Sequence, residues 1–146
     1  MSIAPESDRT INTSIVEKDR QLKEQNIQGF FNNLKMIYPI NKVYYPGPGV
    51  DSSLNGVFKN NEVTYIDKDP YFDGVLKGDF RKTELPDNSH DALFLQDIHH
   101  SRQMFPELLR VVKSGGLVVV SMYGCGLEPP TLMRLPDYET HPQLKA

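Results

Sequence analysis

Apolar residues recur at three- and four-residue spacing between Leu22 and Tyr38. Leu22, Ile27, Phe30, Phe31, Leu34, Ile37 and Tyr38 build one stripe along a helix. Ser14 and Glu17 read as a capping box that opens this helix, and Pro39 ends it. Gly29 inside it costs about 1 kcal/mol relative to alanine. The aromatic residues of the stripe are expected to pack against a sheet. Downstream the pattern changes to short apolar runs. Ile40 to Tyr45, Glu62 to Ile66, a weak pair at Val75 and Leu76, Asp91 to Leu95, and Leu117 to Met122 read as five successive strands. After its first residue the fourth run is continuously apolar, as in a strand buried on both faces.

Helical patterns separate the runs. Asp51 to Phe58 reads as a short helix with Leu54, Val57 and Phe58 inward, and Asp69-Pro70 as an N-cap with proline at N1, opening a turn to Phe72. Ser101 to Lys113 reads as a helix with Phe105, Leu108, Leu109 and Val112 on one face, stopped by Ser114-Gly115-Gly116. Turns fall at Asn60-Asn61 and Asp73-Gly74, and Leu85 to Ser89 is a loop. Strands alternating with helices predict βαβ units and a parallel sheet of a doubly wound α/β domain. The organisation expected is a flexible N-terminus over 1–13, the domain over 14–123, and a proline-rich tail over 124–146 that takes no assigned element.

Composition narrows this picture. A chain of 146 residues suits one domain, and that size buries roughly 70% of its unfolded surface without staples. One cysteine, Cys125, allows no intrachain disulfide, and no secretory signal stands at the N-terminus, so a cytoplasmic protein is expected. No apolar run approaches a membrane span. A net charge of −3 gives no electrostatic ground for a nucleic-acid partner. The four histidines are scattered and lack cysteine partners, which predicts no metal site. His99 or His100 could serve as a base near neutral pH.

The candidate chemistry centres on Tyr45-Pro46-Gly47-Pro48-Gly49, a strand running into a Gly-x-Gly turn. The glycines permit a tight turn and close approach of a ligand to the backbone. Asp67 ends the next strand 18 residues past Gly49, near the spacing of about 20 at which a carboxylate meets a ribose hydroxyl. The ordinary alternatives are a plain strand-to-helix turn for the glycines and a cap or a solvated acid for Asp67.

With these residues in place, the chain resembles the class I S-adenosylmethionine-dependent methyltransferases. The glycine segment is similar to that family's glycine motif, and Asp67 to the acid closing its second strand. Gly78-Asp79-Phe80 resembles the motif that holds the adenine, and Asp91 to His100 the fourth strand and its exit. The segment Glu107 to Val120, with Lys113-Ser114-Gly115-Gly116 at its centre, resembles the Leu-x-Pro-Gly-Gly run before strand five. The resemblance covers roughly residues 15 to 122. It implies a Rossmann-like sheet in the order 3-2-1-4-5, with the N-terminal helix packed on it. It also implies S-adenosylmethionine as cofactor, held by Tyr45, Gly47, Gly49, Asp67, Asp79, Phe80 and Gln96, with Asp97 beside Gln96 near the methyl group.

Three departures stand out. Tyr45 takes the place of an acid that the family usually has at the end of strand one. Asp51 stands where a third glycine is common and could crowd the cleft or contact the cofactor. About 24 residues follow strand five, too few for the family's further helix and two strands. The function expected is methyl transfer to a small-molecule acceptor, with no catalytic residue assigned. The alternatives are a non-catalytic cofactor-binding or regulatory module, and a nicotinamide-binding domain. The edge of strand five, if bare, is expected to pair with a second copy or a heteromeric partner, because the tail's prolines cannot donate to a ladder.

Overall fold

The structure is a computed structural model and describes residues 6–59, 61–96, 104–121 and 131–134. It opens with α1, Glu6–Ile37. The Ser14–Glu17 box therefore lies inside the helix and does not start it. No glycine or proline interrupts the chain from Glu6 to Gln28, so nothing local halts a helix there. Its 32 residues span about 48 Å.

Five parallel strands follow: β1 Val43–Pro46, β2 Val63–Asp67, β3 Val75–Lys77, β4 His90–Gln96 and β5 Val112–Ser121. They lie in the order 3-2-1-4-5 that the resemblance implies, all parallel as the alternating pattern predicts. A sixth strand, β6 Thr131–Arg134, pairs antiparallel with β5, from Leu117↔Arg134 to Val120↔Thr131. This corrects the expectation that the tail's prolines keep it from pairing with strand five. The four residues Thr131–Arg134 all keep their N–H groups and suffice for a ladder, so the prolines elsewhere in the tail do not prevent the strand.

The connections are leaner than the pattern suggests. Asp51–Phe58 yields only a 3₁₀ turn, Ser53–Gly56. No helix forms at Asp69-Pro70. There the Asp67 side chain accepts the Asp69 N–H, its carbonyl accepts the Gly78 N–H, and Phe72 packs edge-on against Tyr65. These contacts hold a tight link in place of a helical turn. α2 is short, Phe105–Arg110, with Pro106 in its first turn. Val112, helical by periodicity, instead pairs with His90 as the first residue of β5. Between that pair and Ala92↔Leu117, β5 carries extra residues. Gly115 turns there with φ 78°, and a Cβ on Gly116 would meet the Lys113 and Asp91 carbonyls at 2.8 and 2.9 Å. The glycine pair thus shapes a kink in β5 and does not cap a helix.

Both sheet faces are covered. On one, Ile27, Phe31 and Leu34 of α1 pack with Leu54 and Phe58 over Val43, Tyr45, Tyr65, Phe94 and Val119. On the other, Phe105 and Leu108 of α2 pack over Tyr44, Leu93, Leu95, Val118 and Val120. α1 descends toward the start of β1, so its middle turns stand beside the carboxyl ends of the strands. No helix is long and apolar enough to cross a membrane among the described residues.

Candidate functional site at the carboxyl ends of the strands

β1 ends at Pro46, which has no N–H to give, and the Gly47 N–H continues the ladder to the Ile66 carbonyl at 2.7 Å. Gly47 and Gly49 then take φ of 61° and 59°, a region that disfavours side chains. The turn is fastened to the neighbouring strand: the Gly49 N–H donates to Asp67 Oδ2 at 3.0 Å, while Asp69 N–H donates to Oδ1 at 3.1 Å. Nothing lies within 4 Å of where a Cβ on Gly49 would stand, so the space above the turn is open.

A second cluster joins β1 to β4. Tyr45 is fully buried on the α1 face. Its hydroxyl donates to Asp51 Oδ2 at 2.6 Å, and the Gln96 amide donates to both, at 2.9 Å to Tyr45 and 2.8 Å to Asp51. Ser53 N–H donates to Asp51 Oδ1 at 3.0 Å. Burial, reinforced by the Asp51 charge, pushes the Tyr45 hydroxyl well above its ordinary pKa, so it stays protonated and donates. Sequence reasoning singles out Tyr45, Asp51 and Gln96 separately. Their union depends on the β1–β4 pairing, which no local pattern reports.

Above this cluster lies a cavity of about 410 Å³. Asp51, Ser52 and Val50 line one wall with Gln96, and Arg20, Lys23, Glu24 and Ile27 of α1 line the other. Of the α1 positions, Ile27 belongs to the apolar stripe read from the sequence, whereas Arg20, Lys23 and Glu24 went unnoticed because a polar helix face usually meets only solvent; their i, i+3, i+4 spacing is the one available signal.

Asp79 and Phe80 follow β3 beside Asp67, through the Gly78 N–H bond to the Asp67 carbonyl at 3.0 Å. Arg81 clasps the Asp79 carboxylate through its backbone N–H, Nε and a terminal nitrogen, at 2.9, 3.0 and 2.8 Å. Hydrogen bonds from Arg81 hold that carboxyl well below the usual range. Phe80 packs beside the α2-side core. The loop beyond is pinned by Glu107, which accepts the Thr83 N–H at 2.7 Å and pairs with Arg110. The Arg110 and Thr83 bonds lower the Glu107 pKa to about 2, against the cost of its burial. Asp97, His99, His100, Cys125 and His141 lie outside the described residues.

No family model matches the sequence, and no curated protein matches it. Solved structures do. A candidate S-adenosyl-L-methionine-dependent methyltransferase from Methanococcus maripaludis superposes with TM-score 0.54 at 14% identity, over 83% of this chain and 66% of that one. The chain has a methyltransferase fold. An S-adenosylmethionine-dependent methyltransferase from Aquifex aeolicus is similar at TM-score 0.49 and 19% identity, over 71% of this chain and 70% of that one. A candidate methyltransferase from Haloferax volcanii, in complex with the methyltransferase activator Trm112, gives TM-score 0.49 at 17% identity, over 82% of this chain and 61% of that one. This chain thus spans about two thirds of the length of the Methanococcus structure.

Proposed function

We propose that this chain binds S-adenosylmethionine across the carboxyl ends of β1, β2 and β4 and transfers its methyl group to a small-molecule acceptor. The observation that carries the reading is the clasp between the left-handed Gly47–Gly49 turn and Asp67. In an open α/β sheet, ligands sit in the crevice outside the carboxyl ends of the strands, where strand order switches, and this clasp lies there.

The residues present fit the cofactor. Each Asp67 oxygen holds one backbone N–H, which leaves a lone pair on each for a ribose hydroxyl. Open space above Gly49 admits close approach to the backbone. Arg81 makes four contacts to the Asp79 carboxylate, two on each oxygen, so an adenine amino group accepted there would displace part of the Arg81 clasp, with Phe80 beside the ring. The bound cofactor would supply a methyl group activated on a sulfonium. The chain's task is then to hold the acceptor in line with that methyl, and proximity provides much of the rate. Tyr45 and Gln96 fix the wall against which the two would meet.

One feature favours the second reading, a cofactor-binding module without turnover. Tyr45, Asp51 and Gln96 satisfy one another, so this wall offers no side chain arranged as a base. Thermal-shift measurements with S-adenosylmethionine, S-adenosylhomocysteine and NAD test the binding claim; a rise with the first two alone is expected, and a rise with NAD alone contradicts it. Methyl transfer from labelled S-adenosylmethionine to candidate acceptors then separates enzyme from module.

A further inference from the structure

We propose that Arg81 is a specificity-determining residue: by occupying the Asp79 carboxylate it competes with a 6-amino purine and makes room for a 6-oxo purine at the same place. This rests on the proposed function, in which Asp79 faces the base of the cofactor.

Asp79 is held in two separable ways. The backbone keeps its turn: the Arg81 N–H donates to Asp79 Oδ1 at 2.9 Å, and the Lys82 N–H to the Asp79 carbonyl at 3.1 Å. The guanidinium adds a fork, with Nε at 3.0 Å from Oδ1 and 3.3 Å from Oδ2, and Nη2 at 2.8 Å from Oδ2. A carboxylate offers about four lone-pair sites, and these contacts fill them. A purine amino group must therefore displace bonds of the guanidinium, because the backbone bond belongs to the turn. The fork can yield. The Arg81 and Asp79 side chains are 55% and 39% exposed, and an ion pair this open to water contributes little to stability. Without the guanidinium the turn still holds Asp79 in place, and the nearby Lys68 charge still favours its ionised form.

The pair can read the edge of a base in either sense. An ionised carboxylate only accepts, which suits an exocyclic amine; a guanidinium only donates, which suits a carbonyl. Asp79 engages the N–H of Nε and one N–H of Nη2, so the other donors of the five on a guanidinium stay available to a ligand. An oxo group on C6 of a purine would meet those donors, whereas a bare carboxylate would repel it. An amino group on C6 meets the opposite balance, because it gains Asp79 only at the expense of the fork. With Arg81 in place the affinities of the two purines are drawn together; without it the amino purine is favoured.

The test compares calorimetric titrations of the wild type, Arg81→Met, Arg81→Lys, Asp79→Asn and the double variant of Asp79→Asn with Arg81→Met. The ligands are S-adenosylhomocysteine and S-inosylhomocysteine, which carries an oxo group in place of the amine. Arg81→Met is expected to bind S-adenosylhomocysteine about 3- to 5-fold tighter, the range that release of an exposed ion pair allows, and S-inosylhomocysteine more weakly than the wild type does. Arg81→Lys keeps the charge and loses the fork, so its ratio of the two affinities should fall between those of the wild type and Arg81→Met. On the Asp79→Asn background, Arg81→Met should bring less than about a 2-fold gain for S-adenosylhomocysteine, because the gain acts through the carboxylate. An unchanged ratio of the two affinities in Arg81→Met overturns the inference, as does a full gain that persists without the Asp79 carboxylate. Equal weakening of both nucleosides in Arg81→Met would also overturn it, by reducing Arg81 to a support of the loop. In each of these cases wild-type binding of S-adenosylhomocysteine leaves the proposed function standing. If no form of the protein binds either nucleoside, the proposed function fails and the inference falls with it.

Discussion

Asp67 carries two backbone N–H groups on one carboxylate, one from its own loop and one from the glycine turn of the adjacent strand. The same residue that shapes the turn therefore presents the acceptor. Asp67→Ala is expected to weaken S-adenosylhomocysteine roughly 10-fold or more, for a loss of about 1.5–3 kcal/mol, and equal affinity in the variant would reduce Asp67 to a loop fastener. This pair was legible in the sequence because Gly-x-Gly and the acid at the next strand end are local features at a fixed interval. The Tyr45–Asp51–Gln96 cluster was not, because its members come from β1, the following loop and β4. His90 was also illegible. It is buried at the opposite end of the sheet, between Thr64 Oγ1 at 2.7 Å and Ser89 Oγ at 2.8 Å. Ser89 donates to the Pro86 carbonyl, so it accepts from Nδ1–H, and Nε2 accepts from Thr64. Burial, then the Lys42 charge, lowers the His90 pKa, with Asp91 partly opposing them. The unfolded chain then binds the proton more readily. The stability from neutral His90 is complete above about pH 6.5 and declines as pH falls below it, by at most about 1.4 kcal/mol per pH unit. Urea unfolding between pH 7.5 and 5 should show a steeper loss for the wild type than for His90→Asn, and parallel slopes would contradict this.

At the scale of elements, the apolar stripe of α1 was the most readable feature, since burial on a helix repeats at short intervals. Phe31 is fully buried and meets Phe94 and Phe58 edge-on at 5.0 and 5.9 Å. Phe31→Ala is expected to cost about 3–5 kcal/mol in urea unfolding, whereas Met36→Ala, at an 85% exposed position of the same helix, should change stability by less than about 0.5 kcal/mol. A comparable loss at both sites would mean that α1 is not seated on the sheet as described. Helix ends were less legible. The Ser14 box has the right residues for a start, yet local capping cannot tell a first turn from a later one when no breaker precedes it. The boundary between α2 and β5 depends on the pairing of Val112 with His90, a tertiary preference that outweighs the apolar helical spacing.

At the scale of the whole molecule, the parallel sheet followed from alternation and right-handed crossovers and its strand order from the resemblance, while β6 hid behind a proline count that bore on its flanks and not on its four residues. With β6 on the outer edge of β5, the reason for pairing with another chain at that edge is removed. Amides of Leu117 to Val120 should exchange slowly in a protein that light scattering finds monomeric across a dilution series. Fast exchange there, with a dimer that dissociates on dilution, would contradict the β6 placement. The central claim is that the open carboxyl ends of β1, β2 and β4 hold S-adenosylmethionine, and calorimetric titration of the folded chain with S-adenosylhomocysteine tests it most directly. Saturable binding of one equivalent, weakened by Asp67→Ala, is the predicted result; no heat of binding from protein shown to be folded by its cooperative unfolding would contradict it.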